Sequence, residues 1–179
     1  MSRDTQNLSV RGALAMVIAA PPASCRARGF FEVQNPDALP GLFFLGRPLA
    51  EDTRGSELTL PSKAALSGFE LALGARLDQD LGLLFAVARG CDSAPLHKVL
   101  FNNQSGGLEF YFVNNFPDPT VSSTTAQGAV GFVNVPIGTS ILSAQFESGK
   151  SLRPTTIRTR PWMGDIYREL SLAGYCQKG

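Results

Sequence analysis

The chain has 179 residues, enough for one large domain or two small ones with apolar cores. Its 16 basic and 15 acidic residues nearly balance, so there is no long-range field to attract nucleic acid or anionic lipid, and we expect no nucleic-acid partner. The 18 glycines, 12 prolines and 12 phenylalanines are typical of short strands joined by tight turns, which predicts a mainly β fold.

The N-terminal 25 residues permit two interpretations. Arg3 and Arg11 precede an apolar run over 12–20, which is the order of an export signal, and Cys25 stands where a lipoprotein cleavage site has its cysteine. The run is short, Asp4 lies in the region that should be basic, and two prolines follow, so a buried strand is favoured. No segment reaches the ~20 apolar residues that span a bilayer, and we therefore expect no membrane span.

Three cysteines, Cys25, Cys91 and Cys176, lie far apart in the sequence. None forms the short-range pair that a zinc or redox CxxC site requires. One disulfide with one free thiol and three unbonded thiols both remain open, because the spacing does not identify a pair.

The segment 28–60 predicts three short strands. Phe31 and Val33 alternate with polar neighbours, an apolar run occupies 42–45, and residues 57–60 alternate again. Turn-forming residues separate these runs, so loops are expected between them.

A short helix is predicted at about residues 62–73, where the apolar period changes. Three apolar side chains at helical spacing form one face that can pack on a sheet. They are Leu66, Phe69 and Leu73. Ser62 is the expected N-cap, and Gly74 stands where the helix should end.

The second half predicts seven short strands in about 90 residues, which is the spacing of a β-sandwich. Residues 116–128 are interpreted as a long polar connection, and Gly138 permits the turn that reverses the chain after Pro136. The predicted strands lie at 83–88, 99–101, 108–115, 129–135, 139–146, 155–161 and 165–172.

Two segments of the second half carry an ordered set of motifs. SAPLHKVLF stands where Gly-x-Pro-Leu-x-Gly-Val-x-Val would open a module, with Lys98 in place of the second glycine. TTAQGAVGFVNVPIGTSILSAQF follows the order Gly-x-x-Gly-Phe-x-x-Val-Pro-x-Gly. From Asp92 onward the chain thus resembles the carboxypeptidase regulatory-like, or transthyretin-like, β-sandwich family. The tail RPTTIRTRPWMGDIYREL departs from the plainer apolar strand of that family.

A likeness over about residues 29–172 rests on FFEVQNPDALPGLFFLGRPLAEDT, LLFAVARGCDSAPL and FYFVNNFPDPT together with the motifs above. These segments are similar to secreted or envelope proteins of myxobacterial type with two such sandwiches in tandem. The resemblance implies an antiparallel, Ig-like class of fold with an incomplete first sandwich, including the helix, over 1–80. It also implies a complete carboxypeptidase regulatory-like sandwich over 81–179 and an extracellular or envelope location.

Candidate catalytic and metal-binding residues are few. His97 is the only histidine, and no neighbouring residue is spaced to orient it, so a surface histidine is the favoured interpretation. Asp78, Asp80 and Asp92 could offer oxygen ligands to calcium, but carboxylates in loops are usually solvated. We therefore predict that the chain is not an enzyme and that it has no catalytic residue, no cofactor and no metal site.

Carbohydrate binding through aromatic side chains is the alternative function. The FYF segment at 110–112, Trp162 and Tyr167 could stack on sugar rings. Strand alternation points Tyr111 away from the two phenylalanines beside it, so two of the three aromatics are expected to fill the core.

The basic tail is the predicted partner surface, because Arg and Trp are enriched in protein contacts. A solvated edge strand is the other interpretation of this tail. The predicted surface consists of Arg153, Arg158, Arg160, Trp162, Tyr167 and Arg168. We therefore expect a structural or protein-interaction module that binds a protein partner or assembles with itself, and in which unpaired edge strands could extend a partner's sheet.

Overall fold

The computed structural model describes residues 30–33, 39, 41–44, 62, 65–90, 94–152, 154–161 and 164–171. Within these ranges the chain forms ten strands and one helix, which confirms the predicted mainly β class. The elements are β1 (Phe30–Val33), β2 (Gly41–Phe44), α1 (Ala65–Leu73), β3 (Gly82–Arg89), β4 (Val99–Asn103), β5 (Leu108–Val113), β6 (Phe116–Asp118), β7 (Ala129–Val135), β8 (Gly138–Phe146), β9 (Thr155–Thr159) and β10 (Gly164–Ser171).

The strands form two sheets that enclose an apolar core between them, as predicted for a β-sandwich. The large sheet has the order β1-β2-β10-β3-β7-β5-β6, and the small sheet has the order β4-β8-β9. The pairs are antiparallel except at β10, which runs parallel to both β2 and β3.

Both predicted sandwich regions, 1–80 and 81–179, contribute strands to the large sheet. The β1–β2 hairpin comes from 1–80, and β2 pairs with β10 from 81–179. The division into an incomplete and a complete sandwich stays a prediction. The predicted strand at 57–60, the N-terminal run and all three cysteines lie outside the described residues.

Helix α1 begins at Ala65, three residues later than predicted. The predicted N-cap at Ser62 is wrong, because Ser62 forms a β-bridge and the helix starts only after it. The predicted end is confirmed: Gly74 follows the last helical residue with a φ of 61°, a left-handed conformation that glycine adopts without strain.

Strand β6 is a second difference, because residues 116–118 were predicted to belong to a polar connection. β5 and β6 form a hairpin across Asn114 and Asn115, whose φ angles are 51° and 68°. Two left-handed residues in succession are typical of a type I′ turn, which matches the twist of the flanking strands. The asparagine pair therefore allows this short strand to pair with β5.

Two apolar cores lie on opposite faces of the large sheet. The sandwich core lies between the two sheets, and the helix-side core lies under α1. The sandwich core consists of Leu84, Ala86, Ala88, Val99, Phe101, Tyr111, Val130, Phe132, Val135, Leu142, Ala144, Leu152 and Ile157. The helix-side core consists of Leu39, Leu73, Leu77, Leu83, Phe110 and Val133.

Candidate interaction surface

The outward face of the small sheet is set by alternation along its three strands. Side chains such as Phe101, Leu142 and Ile157 point inward and are buried in the sandwich core. The alternate side chains point away from the large sheet and are exposed or half-buried. They form the small-sheet face, which consists of Leu100, Asn102, Thr139, Ile141, Ser143, Gln145, Thr156 and Arg158.

The small-sheet face is nearly uncharged, with Arg158 as its one ionisable side chain. Ile141 lies on the central strand, opposite Thr156, and is 45% exposed. Ile137 in the adjoining turn is 54% exposed. Depletion of charge together with exposed aliphatic side chains is the composition that protein contacts favour.

The structure places the predicted partner residues in different parts of the sandwich. Arg158 lies on β9 and belongs to the small-sheet face, and Arg160 is half-buried just after that strand. Tyr167 and Arg168 lie on β10, an inner strand of the large sheet. Arg153 and Trp162 lie outside the described residues.

The aromatic segment of β5 does not form an exposed platform. Tyr111 does point to the opposite face from Phe110, as alternation predicts, but both side chains are buried. Because the large sheet is covered on both faces, Tyr111 enters the sandwich core and Phe110 enters the helix-side core. Carbohydrate binding through Trp162 and Tyr167 stays a prediction.

His97 is exposed in a bend just before β4, which confirms the interpretation as a surface histidine. Among the residues that the structure describes, no group of three or more His, Cys, Asp or Glu side chains could hold a metal ion. Asp78 Oδ1 accepts a hydrogen bond from the Asp80 N–H at 2.9 Å, which closes a tight turn, and Asp92 lies outside the described residues.

The polar pair Glu109 and Tyr111 lies on the inner face of β5. The Tyr111 hydroxyl donates to Glu109 Oε1 and accepts a hydrogen bond from the Phe101 N–H at 3.0 Å. Burial raises the pKa of Tyr111, and the hydrogen bond to Glu109 raises it further. Burial likewise raises the pKa of the Glu109 carboxyl, although the hydroxyl of Tyr111 opposes that shift. Because the Tyr111 hydroxyl on β5 accepts from a backbone N–H of β4, it links the two sheets.

The buried polar side chains bond to backbone groups or to each other. Thr124 Oγ1 donates to the Leu96 C=O at 2.7 Å, and Thr159 Oγ1 donates to the Pro136 C=O at 2.7 Å. Ser140 Oγ donates to Asn103 Oδ1 at 2.8 Å. Such bonds satisfy polar groups that would otherwise be costly to bury, so these side chains hold the fold together.

A shallow concavity of about 750 Å³ lies between α1 and the loop that leads to β3. Asn134 borders it at a bulge in β7, with a left-handed φ of 56°. Its amide accepts from the Asp78 N–H at 2.8 Å and donates to the Arg76 C=O at 2.9 Å, and Glu70 Oε1 accepts from the Leu77 N–H at 2.8 Å. These polar groups hold the loop in place.

Sequence reasoning did not identify the small-sheet face, although the signal was present. The alternation in 138–146 places Thr139, Ile141, Ser143 and Gln145 on one side of the strand. The missing information was that no other described layer covers that side. Only the arrangement of the sheets reveals this.

The comparisons with known proteins do not identify a family for this chain. No protein-family model matches the chain, and no curated protein matches it. Among solved structures the chain is similar to a streptococcal ancillary pilin, with 10% sequence identity and a TM-score of 0.33 over 78% of this chain. The match spans 43% of the pilin chain, and a similarity at this level carries no argument about function.

Within the described ranges, no helix is both long and apolar enough to cross a bilayer.

Proposed function

We propose that the chain is a non-catalytic structural subunit that associates with further copies of itself through the small-sheet face, in an envelope or extracellular assembly. The observation that carries this proposal is the near absence of charge on an exposed face with an aliphatic side chain, Ile141, on its central strand. Burying such a face costs little desolvation, because only Arg158 must keep its charge solvated or paired.

The position of the single cation supports self-association. Arg158 lies on β9, at one side of the face, while β4 at the other side presents the neutral Leu100 and Asn102. If two copies pack face to face about an axis parallel to β8, each β9 lies over the partner's β4. The two guanidinium groups then stay on opposite sides of the contact, and no like charges meet.

The size of the face predicts a weak contact. The central strand has nine residues and each neighbour has five, so at a spacing of about 4.8 Å between strands the face covers roughly 300 Å². A stable interface buries about 800 Å² on each partner, so the small-sheet face supplies less than half of that area. We therefore expect association with a dissociation constant on the order of 0.1–1 mM, suited to a subunit that makes repeated contacts.

The interior supports a structural role. Asn103, Thr124, Ser140 and Thr159 are buried, and each is used in a hydrogen bond that joins separate segments of the chain. Polar groups held in this way are not poised to act on a substrate.

The proposal also includes membership of the carboxypeptidase regulatory-like family. Lys98 stands where that family usually has glycine, and its φ of 57° is the left-handed conformation that favours glycine. The φ of Gly138, 130°, fits the turn glycine of the same motif. These two backbone angles support the family proposal, from which the secreted or envelope location follows.

The test is a concentration series by NMR and sedimentation velocity on the full chain. We expect concentration-dependent shifts at Ile141 and Thr156, and a rise in mean sedimentation coefficient in the high micromolar range. The variant Ile141→Lys should remove both effects, because the contact would then bury two new cations. The control is Leu71→Lys, which also replaces an exposed aliphatic side chain by lysine, at a position on α1 that is 86% exposed.

Leu71 lies on the helix, which covers the other face of the large sheet, so its replacement should leave association unchanged. A chain that stays monomeric at the highest concentration would refute the proposal. The same conclusion follows if Leu71→Lys, and not Ile141→Lys, abolishes association.

A further inference from the structure

Strand β4 is the terminal strand of the small sheet, so one side of its backbone has no neighbouring strand in that sheet. The ladder with β8 sets which residues point to which side. The Gln104 N–H donates to the Ile141 C=O at 3.0 Å, and the Glu147 N–H donates to the Lys98 C=O at 3.0 Å. By alternation, the backbone groups of Val99, Phe101 and Asn103 point to the outer side.

Thr124 occupies the first part of this outer side. Its Oγ1 accepts from the Val99 N–H at 3.0 Å, and its own N–H donates to the Val99 C=O at 2.9 Å. The left-handed backbone at Lys98 turns the N–H of Lys98 outward, where it donates to the Thr124 C=O at 2.8 Å. One buried threonine therefore satisfies three backbone groups of the β4 edge.

Tyr111 occupies the next part of the edge. Its hydroxyl accepts from the Phe101 N–H at 3.0 Å, and the ring is buried in the sandwich core. Further along, the Asn103 C=O accepts from the Gly106 N–H at 2.9 Å within the β4–β5 turn. An added strand would need these same groups, and it would have to displace Thr124 and Tyr111, which are both buried.

We infer that β4 is closed to a partner strand, so that the association proposed above is made by the small-sheet face and not by extension of the sheet at β4. This inference takes from the proposed function only the nature of the partner, a further copy of the chain. The closure itself rests on the hydrogen bonds of Thr124 and Tyr111. The expectation that edge strands extend a partner's sheet therefore does not hold at β4.

The test is amide hydrogen exchange by NMR on the full chain. We expect the outward amides of Val99 and Phe101 to exchange about as slowly as the inward amides of Leu100 and Asn102. In Tyr111→Phe, exchange at Phe101 should accelerate on the order of tenfold or more relative to Leu100, and Val99 should change less. In Thr124→Val the pattern should reverse, with Val99 affected and Phe101 spared.

Within each variant, the ratio of the exchange rate at Val99 or Phe101 to the rate at Leu100 separates a local opening from a general loss of stability. If either variant fails to fold, the other variant and the wild-type comparison still decide the question. Fast exchange at Val99 and Phe101 in the wild type would overturn the inference, as would a variant in which neither ratio changes. Because exchange is measured on dilute protein, a negative result in the concentration series bears only on the proposed function.

Discussion

The helix and the small sheet cover opposite faces of the same large sheet, but different contacts hold them. Under α1 the contacts are aromatic: the Phe69 ring lies 5.9 Å from Phe110 and 6.1 Å from Phe85, both edge to face. Between the sheets an apolar core is supplemented by hydrogen bonds that backbone N–H groups of the β4 edge donate to the hydroxyls of Tyr111 and Thr124.

This difference determines how precisely each layer is placed. Apolar packing is largely non-directional, so the helix can adjust its position while the rings stay in contact. A hydrogen bond fails when its geometry is lost, so the small sheet is held in one register relative to the large sheet. We expect substitutions under the helix to lower the free energy of unfolding the most. Substitutions between the sheets should mainly loosen the register of the small sheet relative to the large sheet.

The largest effect is expected for Phe110→Ala, which tests the packing on the helix side. Phe110 is fully buried, and its ring lies over Gly131, where a Cβ would come within 2.1 Å of the ring. Loss of the ring leaves a cavity, so we expect the free energy of unfolding to fall by about 3–5 kcal/mol in urea denaturation.

The matched control is Phe116→Ala on β6, where the ring is 72% exposed. Its replacement should change the free energy of unfolding by less than about 0.5 kcal/mol. Equal losses from the two variants would contradict the assignment of Phe110 to a tightly packed core.

The next effect concerns the other layer and is expected for Thr124→Val, which keeps the shape but removes the hydroxyl. The Val99 N–H and the Leu96 C=O then lose their partner, and we expect a loss of about 1–3 kcal/mol by the same measurement. Thr124→Ser keeps the hydroxyl and should recover most of the loss. Thr139→Val, on the exposed small-sheet face, should be nearly neutral, and a loss there equal to that of Thr124→Val would refute the role given to the buried hydroxyl.

Local pattern was enough to predict most of these elements from the sequence. β7 spans Ala129–Val135 as predicted, because apolar side chains alternate there and glycines and a proline bound the run. The face of α1 that packs on the sheet was predicted in the same way, since Leu66, Phe69 and Leu73 all contact the helix-side core.

Long-range pairing could not be predicted. Nothing local indicates that β10 inserts between β2 and β3, because a parallel neighbour is chosen by contacts far away in the sequence. The burial of Thr124 could not be predicted either. It lies in a polar stretch that predicts a solvated loop, yet it is buried against β4. Tyr111 shows the same limit, since alternation gives its face but not what covers that face.

A smaller effect is expected for Glu109, on the inner face of β5, and it concerns the pH dependence of stability. Burial raises the pKa of this carboxyl above its ordinary value of 4.5, so the folded chain binds the proton more tightly than the unfolded chain. Its contribution to stability is therefore complete at low pH and is lost as the pH rises through the raised pKa. We expect Glu109→Gln to gain stability relative to the wild type as the pH increases above about 4.5, in urea denaturation at a series of pH values.

The control has the opposite sign. Hydrogen bonds from the Thr120 hydroxyl and N–H hold the pKa of Asp118 below its ordinary value, so its contribution is present at neutral pH and lost as the pH falls. Asp118→Asn should therefore lose stability relative to the wild type as the pH rises. A parallel pH dependence in the two variants would show that the burial of Glu109 is not the cause.

The smallest effect concerns the backbone where β4 begins. Lys98 has a left-handed φ of 57°, which fixes the direction of its N–H toward Thr124, and its ammonium lies 3.9 Å from the Glu147 carboxylate at an exposed site. An exposed pair of this kind contributes at most about 1 kcal/mol, and both Lys98→Ala and Lys98→Gly remove it equally. The two variants therefore differ mainly in backbone strain, which an alanine retains and a glycine relieves.

We expect Lys98→Gly to be more stable than Lys98→Ala by about 1 kcal/mol, the reverse of the order found at ordinary strand positions, in urea denaturation. At Asn102, which lies in the regular part of β4, the same pair of substitutions should favour alanine. If alanine were also the more stable residue at position 98, the backbone there would not need the left-handed conformation. The edge closure by Thr124 would then depend only on its two hydrogen bonds with Val99, and the position of the small sheet would be less tightly defined.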